Sequence, residues 1–177
     1  MSSIRKGSRF ILPIALSIAL ALSGCIESPV NPSEHQAGLI VQHNDGSLIM
    51  KCINFQEEEL TGEELLRLSG IPFTSDVTNP MGSKVCSIDG QGCNFPAEDC
   101  FCQCGNRGPC TYWAYFVLNQ EREWVYAPVG AKGRTVHHGD VDAWAWLSRP
   151  SKDDPIINPT LPETDFETIC GRPSSVQ

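Results

Sequence analysis

The amino-acid sequence predicts an α+β domain in which a mixed β-sheet carries one main helix. Two apolar runs flank Asp45-Gly46, a pair that favours a tight hairpin turn. A helical segment follows, and after it come runs rich in aromatic and β-branched residues, which favour strands. A hairpin, a helix and further strands in this order outline a β-grasp-like mixed sheet.

The elements are predicted from local patterns. The hairpin strands are expected at residues 37–42 and 48–55. Thr61 and Glu64 form a capping box that begins the helix, and Gly70 ends it. The later strands are expected at residues 84–89, 111–118, 123–126, 135–136 and 141–147, with a loop at residues 73–82.

The N-terminus resembles a bacterial lipoprotein signal peptide. It begins with three basic residues, Arg5, Lys6 and Arg9, and continues with an apolar run at residues 10–22 that is too short to span a bilayer. Cys25 follows Leu-Ser-Gly, which resembles a lipobox, so Cys25 is the predicted lipidation site. We therefore expect an extracytoplasmic protein held by lipid on a bacterial membrane. The alternative is an ordinary cleaved signal with a chance cysteine.

The composition divides the chain into four segments. Residues 1–24 are the predicted signal peptide, and residues 25–36, rich in polar residues and Pro, are expected to be a tether. Residues 37–148 carry the predicted domain. Residues 149–177, in which Pro, Asp, Ser and Asn dominate, are expected to be an irregular C-terminal tail. Both tails are expected to be flexible.

The chain is acidic, which excludes two classes of partner. Its formal net charge is −8 at pH 7, with 13 Lys and Arg against 21 Asp and Glu. Removing residues 1–24 takes away three basic and no acidic residues, so the remaining charge is 10 − 21, or −11. Nucleic acids and anionic lipid surfaces both attract basic patches. We therefore expect no nucleic-acid partner, and membrane contact only through the lipid anchor.

Eight cysteines remain once Cys25 is assigned to lipidation, and an oxidising compartment favours disulfides between them. They are Cys52, Cys86, Cys93, Cys100, Cys102, Cys104, Cys110 and Cys170. Five lie within residues 93–110, an odd number, so at least one must pair outside that segment. Neighbours in Cys-x-Cys can hardly bridge each other, so three of the five are expected to reach separate places. Connectivity stays open, because eight cysteines allow about 100 pairings.

Metal binding and redox chemistry are the alternatives for this cysteine-rich segment. Three thiolates spaced Cys-x-Cys-x-Cys could bind zinc or copper. However, zinc sites usually use Cys-x2-Cys pairs, and the segment contains no histidine. A redox centre needs Cys-x-x-Cys at the start of a helix, a spacing that does not occur here. The sequence therefore favours structural disulfides and predicts no metal site.

The aromatic strands resemble those of the transcobalamin-like C-terminal domain. The matching pattern consists of Tyr112-Trp113-Ala114-Tyr115-Phe116, Trp124, Gly130-Ala131, Val136-x-x-Gly139-Asp140-Val141 and Trp144-x-Trp146. The helix Thr61-Gly62-x-x-Leu65-Leu66 is similar as well. The resemblance covers residues 37–147 and implies a β-grasp fold. The family includes vitamin B12 carriers and many bacterial surface proteins of unknown role.

The same resemblance makes cobalamin a candidate ligand, although no cofactor is certain. Cobalamin carriers of this kind have a large helical partner domain, which this sequence lacks. The cysteine-rich segment also lies outside the family pattern. The resemblance therefore supports the fold more strongly than it supports cobalamin binding.

Four aromatic residues are the candidate ligand site. Alternate residues of a strand face opposite sides, so Trp113 and Tyr115 share one face, and Trp144 and Trp146 share a face of the last strand. An exposed aromatic shelf would bind a flat or sugar-like ligand, or a protein. The alternative is that these residues fill a small core.

Other chemistry is less well supported by the sequence. His137 and His138 could supply a metal ligand, but adjacent histidines in a turn are more often solvated. No nucleophile, zinc-protease or phosphate-loop motif occurs, so we expect no enzyme. The prediction is a lipid-anchored extracytoplasmic domain that binds a corrinoid or another small molecule. The alternative is a structural or protein-interaction module displayed at the cell surface.

Overall fold

A computed structural model describes residues 34–78, 82–106, 108–151, 154 and 161–171. The predicted signal peptide, Cys25 and most of the tether lie outside these residues. The architecture is mixed α+β, as predicted, with β-sheets dominating and one main helix. Within the described ranges, no helix is long and apolar enough to cross a membrane.

The described residues form eleven β-strands, four of them only two residues long, and two short α-helices. The strands are β1 (His35–Gln42), β2 (Leu48–Phe55), β3 (Leu60–Thr61), β4 (Phe73–Asp76), β5 (Lys84–Ile88), β6 (Gln91–Gly92), β7 (Gln103–Cys104), β8 (Cys110–Leu118), β9 (Trp124–Tyr126), β10 (Thr135–Val136) and β11 (Val141–Arg149). The helices are α1 (Gly62–Leu68) and α2 (Phe166–Cys170), and a 3-10 turn lies at Ala131–Gly133.

The main sheet has the strand order β2-β1-β11-β8-β7, and β9 also pairs with β8. The tight turn after β1 makes β2 its antiparallel neighbour. β11 lies parallel to β1, which is possible because nearly the whole domain forms the connection between them. Two smaller sheets, β10-β3 and β4-β5-β6, complete the described part of the chain.

Each face of the main sheet packs against a buried core, and strand alternation decides which residues lie on each face. On one face, Trp113, Tyr115 and Trp144 pack in a core that also contains Leu65 and Leu66 of α1. On the opposite face lies a second core. Its members include Ile40, Tyr112, Ala114, Phe116, Ala143, Ala145 and Leu161, with Phe166 and Ile169 of α2 packed against them.

Helix α1 begins and ends as predicted. Thr61 Oγ1 accepts a hydrogen bond from Glu64 N at 3.2 Å, and Glu64 Oε2 accepts from Thr61 N at 2.8 Å. These two bonds confirm the capping box. Gly70 follows with φ +71°, a conformation that favours glycine and ends the helix.

Two segments contain more regular structure than the sequence predicts. The loop predicted at residues 73–82 is wrong for Phe73–Asp76, which form β4 and pair with β5. Within the predicted irregular tail, Asp165 caps α2 by accepting from Thr168 N at 2.8 Å. Leu161 is buried in the second core. The described part of the tail thus covers a sheet face that would otherwise be open.

The structure pairs the eight cysteines in four disulfides, which confirms the predicted framework. The bonds are Cys52–Cys170, Cys86–Cys100, Cys93–Cys102 and Cys104–Cys110. As expected, the three cysteines of Cys-x-Cys-x-Cys reach separate partners. The bond from Cys86 in β5 ties the cysteine-rich segment to the rest of the domain, and the bond from Cys170 ties α2 to β2.

Candidate ligand site

A cavity lies at a gap in strand pairing along the outer edge of β8. β7 pairs with Cys110 and Thr111, and β9 pairs with residues from Phe116 onward. Between these two ladders, residues 112–114 have no strand partner on this edge among the described residues. A cavity of about 120 Å³, here called the inner cavity, is lined by β8 residues from this stretch and by parts of β5 and β11.

The inner cavity brings together three of the four predicted ligand-binding residues. Trp113, Tyr115 and Trp144 line it and are 4%, 5% and 3% exposed. The rings of Tyr115 and Trp144 stack with centroids 4.4 Å apart. Trp146 does not line the cavity. Its ring contacts that of Trp113 edge-on, with the ring centroids 5.4 Å apart. The structure therefore favours the alternative in which these residues belong to the core, with a cavity in place of an open shelf.

Two hydrogen-bonding groups at the inner cavity have no partner among the described residues. These are Ser83 Oγ and Trp144 Nε1, and each residue is only 3% exposed. By contrast, Trp113 Nε1 donates to Gln91 O at 2.9 Å. Buried polar groups are nearly always paired, and an unpaired one costs about 1–3 kcal/mol. A bound molecule that hydrogen-bonds both groups would recover that free energy.

A larger opening adjoins the inner cavity. This outer groove has a volume of about 310 Å³ and shares three aromatic residues with the cavity, namely Phe101, Tyr112 and Tyr126. Arg149 and the Cys104–Cys110 disulfide also line it. Burial, and then the neighbouring Tyr112 hydroxyl, raise the pKa of Tyr126 well above its usual range. The Tyr126 hydroxyl is therefore a neutral hydrogen-bonding group at physiological pH.

The cysteine-rich segment positions Phe101, which the sequence analysis did not identify. Phe101 is 40% exposed and lies between Cys100, bonded to Cys86, and Cys102, bonded to Cys93. Its ring contacts Tyr112 edge-on with centroids 5.6 Å apart. The sequence signal that could have indicated that Phe101 lies at the cavity is its position as the single aromatic residue between two disulfide-bonded cysteines.

A buried polar network lies behind the aromatic lining. The Tyr115 hydroxyl donates to Asp142 Oδ2, and Arg134 Nη2 lies 3.4 Å from Asp142 Oδ1 and 2.8 Å from Asp140 Oδ2. Burial raises the pKa of Asp142 to about 6, although Arg134 opposes the shift. Burial also raises the pKa of Tyr115, which therefore remains a neutral donor. The network fixes the position of the Tyr115 ring.

The histidine pair is placed apart from the cavity. His138 Nδ1 accepts a hydrogen bond from Gln36 N at 3.0 Å, and His137 Nε2 lies 3.6 Å from Glu59 Oε2. In the described ranges, no group of three or more His, Cys, Asp or Glu side chains is arranged to hold a metal ion.

Comparison with known proteins gives a distant structural likeness. No protein-family model matches the chain, and no curated protein matches it. Among solved structures, a candidate metal-binding protein from Ruminococcus gnavus ATCC 29149 is similar, with a TM-score of 0.44 and 13% identity. The match covers 67% of this chain and 99% of that one. A likeness of this size supports no inference about ligand or activity.

Proposed function

We propose that this chain is a lipid-anchored extracytoplasmic domain that binds a small ligand in the inner cavity and outer groove. The observation that carries the proposal is the pair of unpartnered buried groups, Ser83 Oγ and Trp144 Nε1, at one aromatic-lined cavity. Sites for small molecules combine apolar and aromatic walls with a few polar groups that orient the ligand.

The strand order supports a β-grasp assignment for this domain. An N-terminal hairpin is followed by helix α1, and the last long strand, β11, lies parallel to β1 inside the sheet. This arrangement agrees with the fold that the transcobalamin-like resemblance implies. Fold alone does not specify a ligand, so the ligand is argued from the site.

Export is supported by the signal pattern and by the cysteines together. All eight cysteines after Cys25 are disulfide-bonded, and such bonds persist in oxidising compartments. Intact mass of the native protein tests this part of the proposal. We expect acyl mass on Cys25 and a gain of eight hydrogens on reduction. Unmodified Cys25, or eight free thiols in native material, would contradict it.

The volume of the inner cavity limits the size of the group it holds. At about 120 Å³ it is slightly smaller than an engineered cavity of about 150 Å³ that binds benzene. One aromatic ring is therefore the largest group that the inner cavity suits. A corrinoid is far larger and would have to lie mainly in the outer groove. The proposal accordingly favours a smaller molecule over cobalamin.

Binding is tested by calorimetric titration of the mature protein with cobalamin and with single-ring phenols and phenyl acids. We expect a single-ring compound to bind and to change tryptophan emission. Trp144→Phe and Ser83→Ala should each weaken binding. Trp124→Phe is the matched control, because Trp124 Nε1 donates to Pro162 O at 3.0 Å and Trp124 lies in the second core. Equal affinity in all three variants, or no binding by the wild type, would overturn the proposal.

A second groove favours the alternative of a protein-interaction module. It has a volume of about 460 Å³, and Leu68, 52% exposed, lines it together with the acidic Glu57, Glu59 and Glu64. Arg67 also lines the groove, so acidic residues outnumber basic ones by three to one. An apolar floor with this excess of negative charge fits a basic amphipathic segment of a partner protein. A basic amphipathic peptide should then bind in a salt-dependent manner, and Leu68→Asp should abolish binding. Equal binding of an acidic peptide would exclude this role.

A further inference from the structure

We infer that the inner cavity takes an uncharged aromatic carbonyl compound with a single ring. Its carbonyl oxygen accepts hydrogen bonds from Trp144 Nε1 and Ser83 Oγ, the two groups at the cavity that have no partner among the described residues. This inference rests on the proposed function and names the class of ligand. It depends on the inner cavity and on none of the side chains that line the outer groove alone.

The two unpartnered groups offer hydrogens, so the ligand has to supply lone pairs. The Trp144 indole N–H can only donate, and the Ser83 hydroxyl has one hydrogen to donate, although it can also accept. A carbonyl oxygen carries two lone pairs and no hydrogen, so it can accept from both groups. A phenol hydroxyl brings a third hydrogen to the site without adding a lone pair. A carbonyl oxygen therefore satisfies the two groups better than a phenol does.

Two other polar side chains at the cavity already have hydrogen-bond partners. Trp113 Nε1 donates to Gln91 O at 2.9 Å, and the Tyr115 hydroxyl donates to Asp142 Oδ2. Both residues line the cavity and are almost completely buried. They therefore give the ligand aromatic surface, while the hydrogen bonds come from the two unpartnered groups.

The charges at the cavity favour an uncharged ligand. Among the described residues that line it, Lys84 is the one charged residue. Its ammonium lies 3.5 Å from Asp76 Oδ2 and 5.7 Å from the centre of the Phe101 ring, so its charge is already compensated. A cation would meet no carboxylate in this lining. Because a buried ion without a counter-charge is far more costly than a hydrogen-bonded neutral group, the ligand is uncharged where it enters the cavity.

The walls of the inner cavity suit a flat ring. Tyr115 and Trp144 stack with their ring centroids 4.4 Å apart, and Trp113 lies in the same lining. The volume of about 120 Å³ suits one ring. A carbonyl group conjugated with that ring stays in the plane of the ring, so the ligand remains flat. The ligand class is therefore a single aromatic ring with a conjugated, uncharged carbonyl group.

Three probes of nearly the same shape test this inference with the mature, disulfide-bonded protein. Calorimetric titration compares acetophenone with α-methylstyrene, in which a methylene group replaces the carbonyl oxygen, and with benzoate, which is charged. Acetophenone should bind at least about tenfold more tightly than α-methylstyrene, because only acetophenone can accept from the two buried groups. At neutral pH it should also bind at least about tenfold more tightly than benzoate, because the carboxylate loses its hydration without gaining a counter-charge.

Variants identify the groups that bind the carbonyl oxygen. Trp144→Phe and Ser83→Ala should each reduce the preference for acetophenone over α-methylstyrene, and the double variant should remove it. Trp113→Phe is the matched control, because it removes an indole from the same cavity whose N–H is already bonded to Gln91 O. Its affinity for both compounds can change, but the ratio of the two affinities should stay that of the wild type.

A spectroscopic measurement supplements the variants. Near-ultraviolet circular dichroism checks that each variant is folded. If one does not fold, the infrared spectrum of acetophenone bound to the wild type gives a second reading. Hydrogen bonds from the two groups should lower its carbonyl stretching frequency below the value in an apolar solvent. An unshifted frequency would contradict the inference.

Each outcome separates the ligand class from the proposed function. If α-methylstyrene binds the wild type as tightly as acetophenone, the inference fails and the proposed small-ligand function stands. The same holds if benzoate binds most tightly, since the ligand would then be charged. If Trp144→Phe and Ser83→Ala both keep the full preference for acetophenone, the assignment of the two donors is overturned. If no single-ring compound binds the wild type, the proposed function fails, and the inference fails with it.

Discussion

The hydroxyl of Tyr115 donates a hydrogen bond to the carboxylate of Asp142 in the core of the domain. Asp142 has no exposed surface, and Tyr115 is 5% exposed. Arg134 lies on the other side of the carboxylate, 3.4 Å from Asp142 Oδ1. Because burial outweighs the neighbouring cation, the pKa of Asp142 is raised to about 6. A group that supports the cavity lining therefore titrates close to physiological pH.

The raised pKa of Asp142 predicts that the fold is more stable at pH 5 than at pH 7. The folded state takes up this proton near pH 6, whereas the unfolded chain takes it up near 3.8. The resulting stabilisation is fully present below 3.8 and is lost as the pH rises through 6. Two pKa units correspond to roughly 3 kcal/mol over the whole titration, and about 1 kcal/mol of this is expected between pH 5 and pH 7. Urea denaturation at both pH values measures it.

Asp142→Asn is the control for this pH dependence. The amide oxygen can still accept from Tyr115, but the side chain no longer titrates. The variant should lose most of the stability difference between pH 7 and pH 5. An unchanged difference would show that another group is responsible. Below pH 4 stability should fall in both proteins, because hydrogen bonds with Thr61 hold the pKa of Glu64 below its usual value.

The close approach of α1 to Tyr115 predicts that Gly62→Ala destabilises the domain. An added Cβ would lie 2.8 Å from Tyr115 Cζ and closer still to its hydroxyl. Helix propensity alone would favour alanine by about 1 kcal/mol, so the two effects have opposite signs. Since Tyr115 is held by Asp142 and stacked on Trp144, we expect a net loss of about 1–3 kcal/mol.

Thermal denaturation compares this variant with Gly108→Ala. A Cβ at Gly108 would meet no atom within 4 Å, so that substitution should change the melting temperature little. Stabilisation by Gly62→Ala would mean that Tyr115 moves freely, which would contradict the fixed position described for its ring.

Elements with local determinants were predictable from the sequence. The first hairpin follows from its turn, where Gly46 has φ +82° and Asp45 Oδ1 accepts from Ser47 N at 2.9 Å. The ends of α1 follow from the Thr61–Glu64 capping box and Gly70. Each depends on residues within four positions of one another, so the pattern is visible without the fold.

Features made by distant residues were not predictable. β4 is only four residues long, with two strand-favouring residues, Phe73 and Thr74, and it forms because β5 pairs with it. The second core is completed by α2, which lies in a segment whose composition resembles a loop. The candidate ligand site depends on Ser83 and Trp144, which lie in different parts of the chain and line one cavity only after folding. For the predicted aromatic residues, strand alternation in the sequence showed which side chains share a face of the sheet. It did not show whether that face is buried.

The disulfides predict unequal effects on stability when each is removed. Cys52–Cys170 joins residues 118 positions apart, and Cys104–Cys110 joins residues 6 apart. The entropy of loop closure predicts losses of roughly 5 kcal/mol for the first bond and roughly 2 kcal/mol for the second. Paired Cys→Ala variants and urea denaturation measure both losses. Equal losses would indicate that native-state packing, rather than restriction of the unfolded chain, dominates.

The exposed ring of Phe101 predicts an effect on binding that is separate from stability. Phe101 lines both the inner cavity and the outer groove, and it is 40% exposed. Phe101→Ala should therefore weaken binding of a single-ring ligand about three- to tenfold, since an aromatic contact contributes about 0.5–1.5 kcal/mol. Its melting temperature should stay close to that of the wild type. Val125→Ala is the matched control, because Val125 is 42% exposed on β9 and lines neither recess. Unchanged affinity in Phe101→Ala, or an equal loss of affinity in Val125→Ala, would show that the cysteine-rich segment does not contribute to ligand binding and has only a structural role.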